Sequence, residues 1–255
     1  MKFLLNIGLI VLFLYCIAML LLYIFQRDLL YFPTEKYHHP FEEIQLKNQN
    51  ETISVIVLNK GKDKALIYFG GNGDAVVSNA EEFKSAFPNF TIYLLNYRGY
   101  GGSSGKPSEQ AIYSDALALY EAIKPKHPKI SVLGRSLGSG VATYVAANRD
   151  IDKTVLITPY DSILNVAQKR FKLFPVSFLL KDIYDSTSRV SRISSKVLVI
   201  AAENDQIIPM ANTEKLVNEF PRDQLHFEII KNSGHNDLSN SITYYPTIQA
   251  FLTMD

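Results

Sequence analysis

Ile130-Ser131-Val132-Leu133-Gly134-Arg135-Ser136-Leu137-Gly138-Ser139-Gly140-Val141-Ala142-Thr143 changes character twice within a few residues. Ile130 to Leu133 is a short β-branched run, Gly134 to Gly138 is a tight turn, and small and apolar residues of a helix follow. A serine on such a strand-to-helix corner projects above its sheet, and glycines two positions either side leave room where side chains would collide. Ser136 is therefore the candidate nucleophile. The amide of Leu137, at the helix N-terminus, can face a developing oxyanion. The same five-residue pattern recurs as Gly101-Gly102-Ser103-Ser104-Gly105. No helix directly follows that copy, so it reads as turn chemistry.

Outward from this stretch, strands alternate with helices. Ile44 to Lys47 and Thr52 to Leu58 suit an opening hairpin. Ala65 to Phe69, Thr91 to Asn96, Ile130 to Leu133, Thr154 to Thr158 and Val197 to Ala202 are buried-type runs, and Leu225 to Ile230 alternates, making about eight strands. Helical patterns cover Ala75 to Phe87, Ser108 to Lys124, Leu137 to Asn148, Met210 to Phe220 and Ile242 to Leu252. Such alternation predicts an α/β fold with a mostly parallel sheet and helices on both faces.

At 255 residues the chain suits one domain that buries roughly 70% of its unfolded surface. With 26 basic and 25 acidic residues there is no field to gather nucleic acid, and none is expected as a partner. Phe3 to Phe25 is almost wholly apolar, and as a helix rising ~1.5 Å per residue it reaches about the thickness of a bilayer core. It reads as a single-pass anchor at residues 1–27, followed by a connector at 28–40. A cleaved signal peptide fits less well, because no A-x-A-like site precedes Gln26-Arg27-Asp28. Cys16, the only cysteine, follows Tyr15 where a lipoprotein site needs a small residue. His38 and His39 lie in a Pro-flanked loop with no Cys or Asp cluster near them, so no metal or cofactor is expected.

Three further loops follow strands and can share a crevice with Ser136. Gly70-Gly71-Asn72-Gly73-Asp74 offers backbone amides at Asn72 or Gly73 as a second oxyanion donor beside Leu137. Asp205 lies after the penultimate strand, with Glu203 and Asn204 as close rivals and Asp161 as an alternative acid. His235 lies after the last strand. A serine needs a base to take its proton, and an imidazole base needs a carboxylate to hold its tautomer. The chain order Ser136, Asp205, His235 supplies all three.

On these residues the chain resembles the α/β-hydrolases from about Phe41 onward, giving a hydrolase domain at 41–255. Leu29-Leu30-Tyr31-Phe32-Pro33 and Asn96-Tyr97-Arg98-Gly99-Tyr100-Gly101, behind an apolar N-terminus, resemble the membrane-anchored, depalmitoylase-like branch more closely. One departure is that Gly70 stands where that branch usually carries histidine. The resemblance implies a serine hydrolase acting on a carboxylic ester or thioester, of a lipid or an acylated protein, through an acyl-serine and without a cofactor. The same triad in an amidase or peptidase, or a non-catalytic binding module on this scaffold, are the alternatives. A short cap is expected near residues 162–190, where Phe171, Phe174 and Phe178 would offer an acyl groove over Ser136. An ordinary helix packed on the sheet is the alternative there. Arg98 and Arg135 each read either as salt-bridge partners or as contacts for an anionic group.

Overall fold

The computed structural model describes residues Lys2 to Met254. The elements run α1 (Lys2–Leu30), β1 (Glu42–Asn48), β2 (Glu51–Leu58), β3 (Lys64–Phe69), α2 (Ala80–Ala86), β4 (Phe90–Leu95), α3 (Glu109–Ile123), β5 (Lys129–Arg135) and α4 (Leu137–Asn148). They continue with β6 (Lys153–Ile157), α5 (Ile163–Arg170), α6 (Val176–Leu179), β7 (Lys196–Ala202), α7 (Met210–Val217), β8 (Leu225–Ile230) and α8 (Tyr244–Thr253). All eight expected strands form one sheet in the order β1-β2-β4-β3-β5-β6-β7-β8. Only the β1–β2 and β2–β4 pairs are antiparallel.

The central strands read as unbroken apolar runs because both faces are covered. Ile67, Val132 and Val199 point into a core shared with Ile112 of α3 and Val141 of α4. Leu66, Leu133 and Leu198 point into the opposite core, with Phe83 of α2 and Phe251 of α8. Parallel pairing of β3, β5, β6, β7 and β8 brings the loops after these strands to one edge, as expected for an open sheet.

Two expectations change. The helix expected over 75–87 begins as a 3₁₀ turn, Val76–Asn79, and only then becomes α2. The stretch 28–40 is not a free connector: α1 continues to Leu30, and Tyr31 is 3% exposed within the core. Its hydroxyl bonds Asp182 Oδ2 at 3.1 Å and Tyr184 Oη at 2.9 Å, while Arg27 Nε donates to Asp182 Oδ2 at 2.8 Å. The buried Asp182 carboxylate needs those partners, so residues Arg27 and Tyr31 belong to the domain's structure.

Candidate active site

Ser136 is the single residue between β5 and α4. Its backbone sits at φ 50°, ψ −117°, a conformation that costs of order 1–3 kcal/mol and persists only where the surroundings impose it. They do: Ser136 N donates to Ile157 O at 2.9 Å, and Ser136 O accepts from Ser139 N at 2.9 Å and Ser139 Oγ at 2.6 Å. The flanking glycines are needed for space. A Cβ on Gly134 would overlap the Gly138 carbonyl, and one on Gly138 would overlap the carbonyls of Phe69 and Gly70.

The turn after β8 brings His235 Nε2 to 2.9 Å from Ser136 Oγ, and the turn after β7 brings Asp205 Oδ2 to 2.7 Å from His235 Nδ1. Asp205 is itself fixed, because its Oδ1 accepts from the amides of Ile207 at 2.9 Å and Ile208 at 2.8 Å. A carboxylate at Nδ1 keeps the ring proton there, leaving Nε2 free to accept from the serine hydroxyl. The side chains of His235 and Asp205 are only 7% and 5% exposed, so water screens the pair little. Arg135 donates to the His235 carbonyl at 3.1 Å, tying the histidine's turn to the serine's own.

The rivals are occupied elsewhere. Asp161 accepts from Asn212 and Asn165 and pairs with Lys215 at 3.0 Å. Burial pushes its pKa up, and the bonds from Asn212, Lys215 and Asn165 outweigh that, holding it below the usual carboxylate value. Glu203 accepts from the Asn232 amide, and Asn204 N donates to Ser233 O. Ser103 Oγ accepts from Ser54 N and donates to Asn96 O, each at 2.9 Å. Arg98 grips Asp115 through two nitrogens at 2.6 and 2.9 Å. His39 lies 3.5 Å from Glu43, and among the described residues no three His, Cys, Asp or Glu side chains gather as a metal site.

Ser136 opens into a cleft of about 560 Å³, walled by the 71–75 loop on one side and by Ile207, His235 and Asn236 on the other. Gly71 lies directly against the serine: a Cβ there would be 3.6 Å from Ser136 Cβ. The amides of Leu137, Asn72 and Gly73 meet no acceptor among the described residues. A Cβ at Gly70 would lie 2.9 Å from Val76 Cγ1 and 3.0 Å from Asp74 Oδ2, so a side chain there would have to displace both of these side chains.

Phe171, Phe174 and Phe178 do not cover this cleft; none of the three lines it among the described residues. Phe171 and Phe174 line a separate apolar groove with Leu22, Leu29 and Leu30, and Phe178 is 87% exposed. The expected lid over Ser136 is thus corrected: α5 and α6 face α1, and their apolar residues Ile163, Ala167, Val176 and Leu179 share a groove with Leu22, Leu29 and Leu30.

The family described as alpha/beta hydrolase fold matches residues 64–190. An esterase of Pyrococcus furiosus superposes with a TM-score of 0.70, covering 87% of this chain and 97% of that one at 16% identity. This chain has the α/β-hydrolase fold. A serine hydrolase from a Cycloclasticus bacterium superposes on this chain with a TM-score of 0.66 at 15% identity, over 83% of this chain and 98% of that one. In sequence, an uncharacterised Mycobacterium tuberculosis protein is 34% identical over 169 residues, 64% of this chain and 60% of the relative. The human alpha/beta hydrolase domain-containing protein 17C is 28% identical over 171 residues, 65% of this chain and 50% of the relative. The chain thus spans 60% and 50% of the length of these two curated relatives.

Sequence reading missed the residues that hold the 70–74 loop in place. Asp74 accepts from Tyr68 Oη at 2.6 Å, from Asn79 Nδ2 at 3.1 Å and from Gly71 N at 3.4 Å. Burial first, and the Asp74 charge second, push the Tyr68 hydroxyl well above its ordinary pKa, so it stays a donor. Tyr97, likewise raised by burial, donates to Gly70 O at 2.8 Å. Asn72 uses its side chain to reach the end of α1: Oδ1 accepts from Phe32 N and Tyr100 Oη, each at 2.9 Å, and Nδ2 donates to Leu30 O at 2.5 Å. The one available signal was the acid immediately after four loop residues rich in glycine. The tie between Asn72 and Leu30 spans 42 positions and no local pattern announces it.

Proposed function

We infer that this α/β-hydrolase is a membrane-anchored serine hydrolase that cleaves carboxylic esters or thioesters. The observation that carries the reading is the unbroken line Asp205 Oδ2, His235 Nδ1, His235 Nε2, Ser136 Oγ, at 2.7 and 2.9 Å. As the Ser136 oxygen attacks the acyl carbon, its proton passes to His235 Nε2, and Asp205 stabilises the imidazolium. The carbonyl oxygen, now negative, is met by the amide of Leu137 and that of Asn72 or Gly73. The leaving oxygen or sulfur takes the proton from His235 and departs, leaving acyl-Ser136. Water then enters, gives a proton to His235 and attacks the acyl carbon. Ser136 recovers the proton as the acid leaves.

The anchor rests on α1, a helix of 29 residues with no buried residue and a hydropathy of 2.8 in its most apolar window. The cleft's rim includes Phe32, two residues beyond the end of α1. A substrate held at a membrane surface, such as a lipid ester or an acylated protein, fits that placement. The resemblance to the depalmitoylase-like branch points the same way.

A fluorophosphonate probe on the full chain tests the chemistry: the parent labels and Ser136→Ala does not. Turnover of a matched ester, thioester and amide then fixes the class, and faster cleavage of the amide would replace this reading with an amidase. Retention of the full chain in membranes through alkaline carbonate tests the anchor.

A further inference from the structure

The cap lies along α1 in a definite register. At one end, Arg27 pairs with Asp182, and Gln26 donates to Leu179 O while accepting from Lys181 N. Next, Lys181 Nζ sits 4.0 Å over the Tyr23 ring. At the far end, Tyr15 stacks on Phe174 with ring centroids 5.5 Å apart, and Tyr15 Oη donates to Leu173 O at 2.8 Å. From Arg27 to Tyr15 the cap follows α1 for roughly 18 Å, at ~1.5 Å per residue.

That register conflicts with a bilayer surface drawn at the cap's tip. The apolar run of α1 continues ten residues past Tyr15 to Phe25, roughly 15 Å further along the helix, and those residues belong within the hydrocarbon core. The surface must therefore cross α1 nearer Tyr23 to Arg27, where the polar residues Gln26, Arg27 and Asp28 begin. Leu173 and Phe174, alongside Tyr15, then lie below it.

We propose that Phe171 to Leu180 is a second membrane-inserted element, a re-entrant foot that places Leu173 and Phe178 among the acyl chains of the bilayer that α1 spans. The reading rests on α1 being a membrane span. Leu173 and Phe178 are 84% and 87% exposed, which water disfavours and lipid does not. Backbone groups that enter lipid must be bonded within the protein, and here many are. Phe174 N donates to Phe171 O, Phe178 N to Pro175 O, Leu180 N to Val176 O, and Gln168 Nε2 to Phe174 O. Charge agrees: between Asp161 and Asp182 the chain has Lys169, Arg170, Lys172 and Lys181 and no acid. Long basic stems at such an edge reach back to lipid phosphates.

The chain has no tryptophan, so single-tryptophan variants of the full protein report their own surroundings. Leu173→Trp, Phe178→Trp, Phe13→Trp in α1, and Met254→Trp go into phosphatidylcholine–phosphatidylglycerol vesicles with and without bromine on the acyl chains. Met254 follows α8, whose Phe251 meets His226 edge to face at the start of β8, so it sits at the sheet edge away from the cleft. Expected is a blue-shifted emission, lost on bromination, at positions 13, 173 and 178, and an unchanged red-shifted emission at 254. Quenching at 13 with none at 173 and 178 overturns the foot and leaves the anchor standing. Absence of quenching at 13 removes both. Blue-shifted but unquenched emission at 173 and 178 means that protein, such as a second copy of this chain, covers the patch, and also overturns the foot.

Discussion

Gly134-Arg135-Ser136-Leu137-Gly138 and Gly101-Gly102-Ser103-Ser104-Gly105 spell the same pattern, yet their serines are held in opposite ways. Ser136 stands at a strained φ of 50° between a strand and a helix, and among the described residues its hydroxyl bonds only the ring of His235, beside it in the lining of a cleft. Ser103 is 7% exposed, and its hydroxyl is used twice, by the Ser54 amide and the Asn96 carbonyl. The first loop stores strain to present an oxygen, whereas the second consumes one to pin a turn against β2. A reactive group is recognised by what the fold leaves unbonded, and the comparison can be broken at several points.

The largest effect belongs to the serines themselves. Ser136→Ala should lower kcat by about 10⁴-fold or more and abolish fluorophosphonate labelling, with the thermal midpoint little changed. Loss of labelling in Ser103→Ala with retention in Ser136→Ala would invert the assignment. Next come the glycines of the first loop. Gly138→Ala sets a methyl group against the Phe69 and Gly70 carbonyls, backbone that cannot step aside, so the chain should fail to reach the native state, as judged by insolubility or a lost cooperative melt.

A third test concerns what supports the first loop from outside. A chain shortened to begin at Thr34 loses Arg27 and Tyr31, the partners of the buried Asp182 carboxylate, and the Leu30 and Phe32 groups that bond Asn72. The Arg27 side chain is about half exposed, but that of Asp182 is 3% exposed, and a buried carboxylate left without its partners is destabilising, so the shortened chain's urea midpoint should fall below that of a chain begun at Gln26, which keeps all four residues. Equal midpoints would return 28–40 to the status of a linker.

That last contrast marks where sequence reading stops. The eight strands were legible because a sheet covered on both faces writes itself as apolar runs such as Val197 to Ala202, and the three candidate loops because each follows its own strand. Tyr31 was not legible, since an aromatic just past a membrane span reads equally well as an interfacial ring. Its partners Asp182 and Tyr184 lie about 150 positions away, beyond any periodicity. The cap phenylalanines failed for a related reason: their apolar character was plain, but whether they faced Ser136 or α1 depended on a helix that sequence had assigned to lipid alone.

A smaller effect is expected from the second serine. Ser103→Ala removes the acceptor of the buried Ser54 amide, and an orphaned buried donor costs about 1–3 kcal/mol. The melting temperature should drop while kcat stays at the parent value, because the loop braces β2 and touches nothing in the cleft.

The smallest effect separates the two loops by mechanism. Gly105, like Gly138, closes a G-x-S-x-G pattern, but its φ is +81°, and a Cβ would meet the Glu51 side chain, 2.7 Å from Cδ. That carboxylate ends a flexible, partly exposed chain and can swing away, giving up its bond to Ser104. What remains is the left-handed backbone, which costs an ordinary residue about 1–2 kcal/mol. Gly105→Ala should therefore fold, work at the parent rate and melt slightly lower. Asparagine tolerates this backbone better than alanine, so Gly105→Asn should recover part of the loss. At Gly138 no such recovery can occur, because the obstacle is a carbonyl and any side chain begins with the same Cβ. Melting curves for alanine and asparagine at both positions decide the matter: a partial rescue at 138, or none at 105, would mean that space and backbone angle have been assigned to the wrong loops.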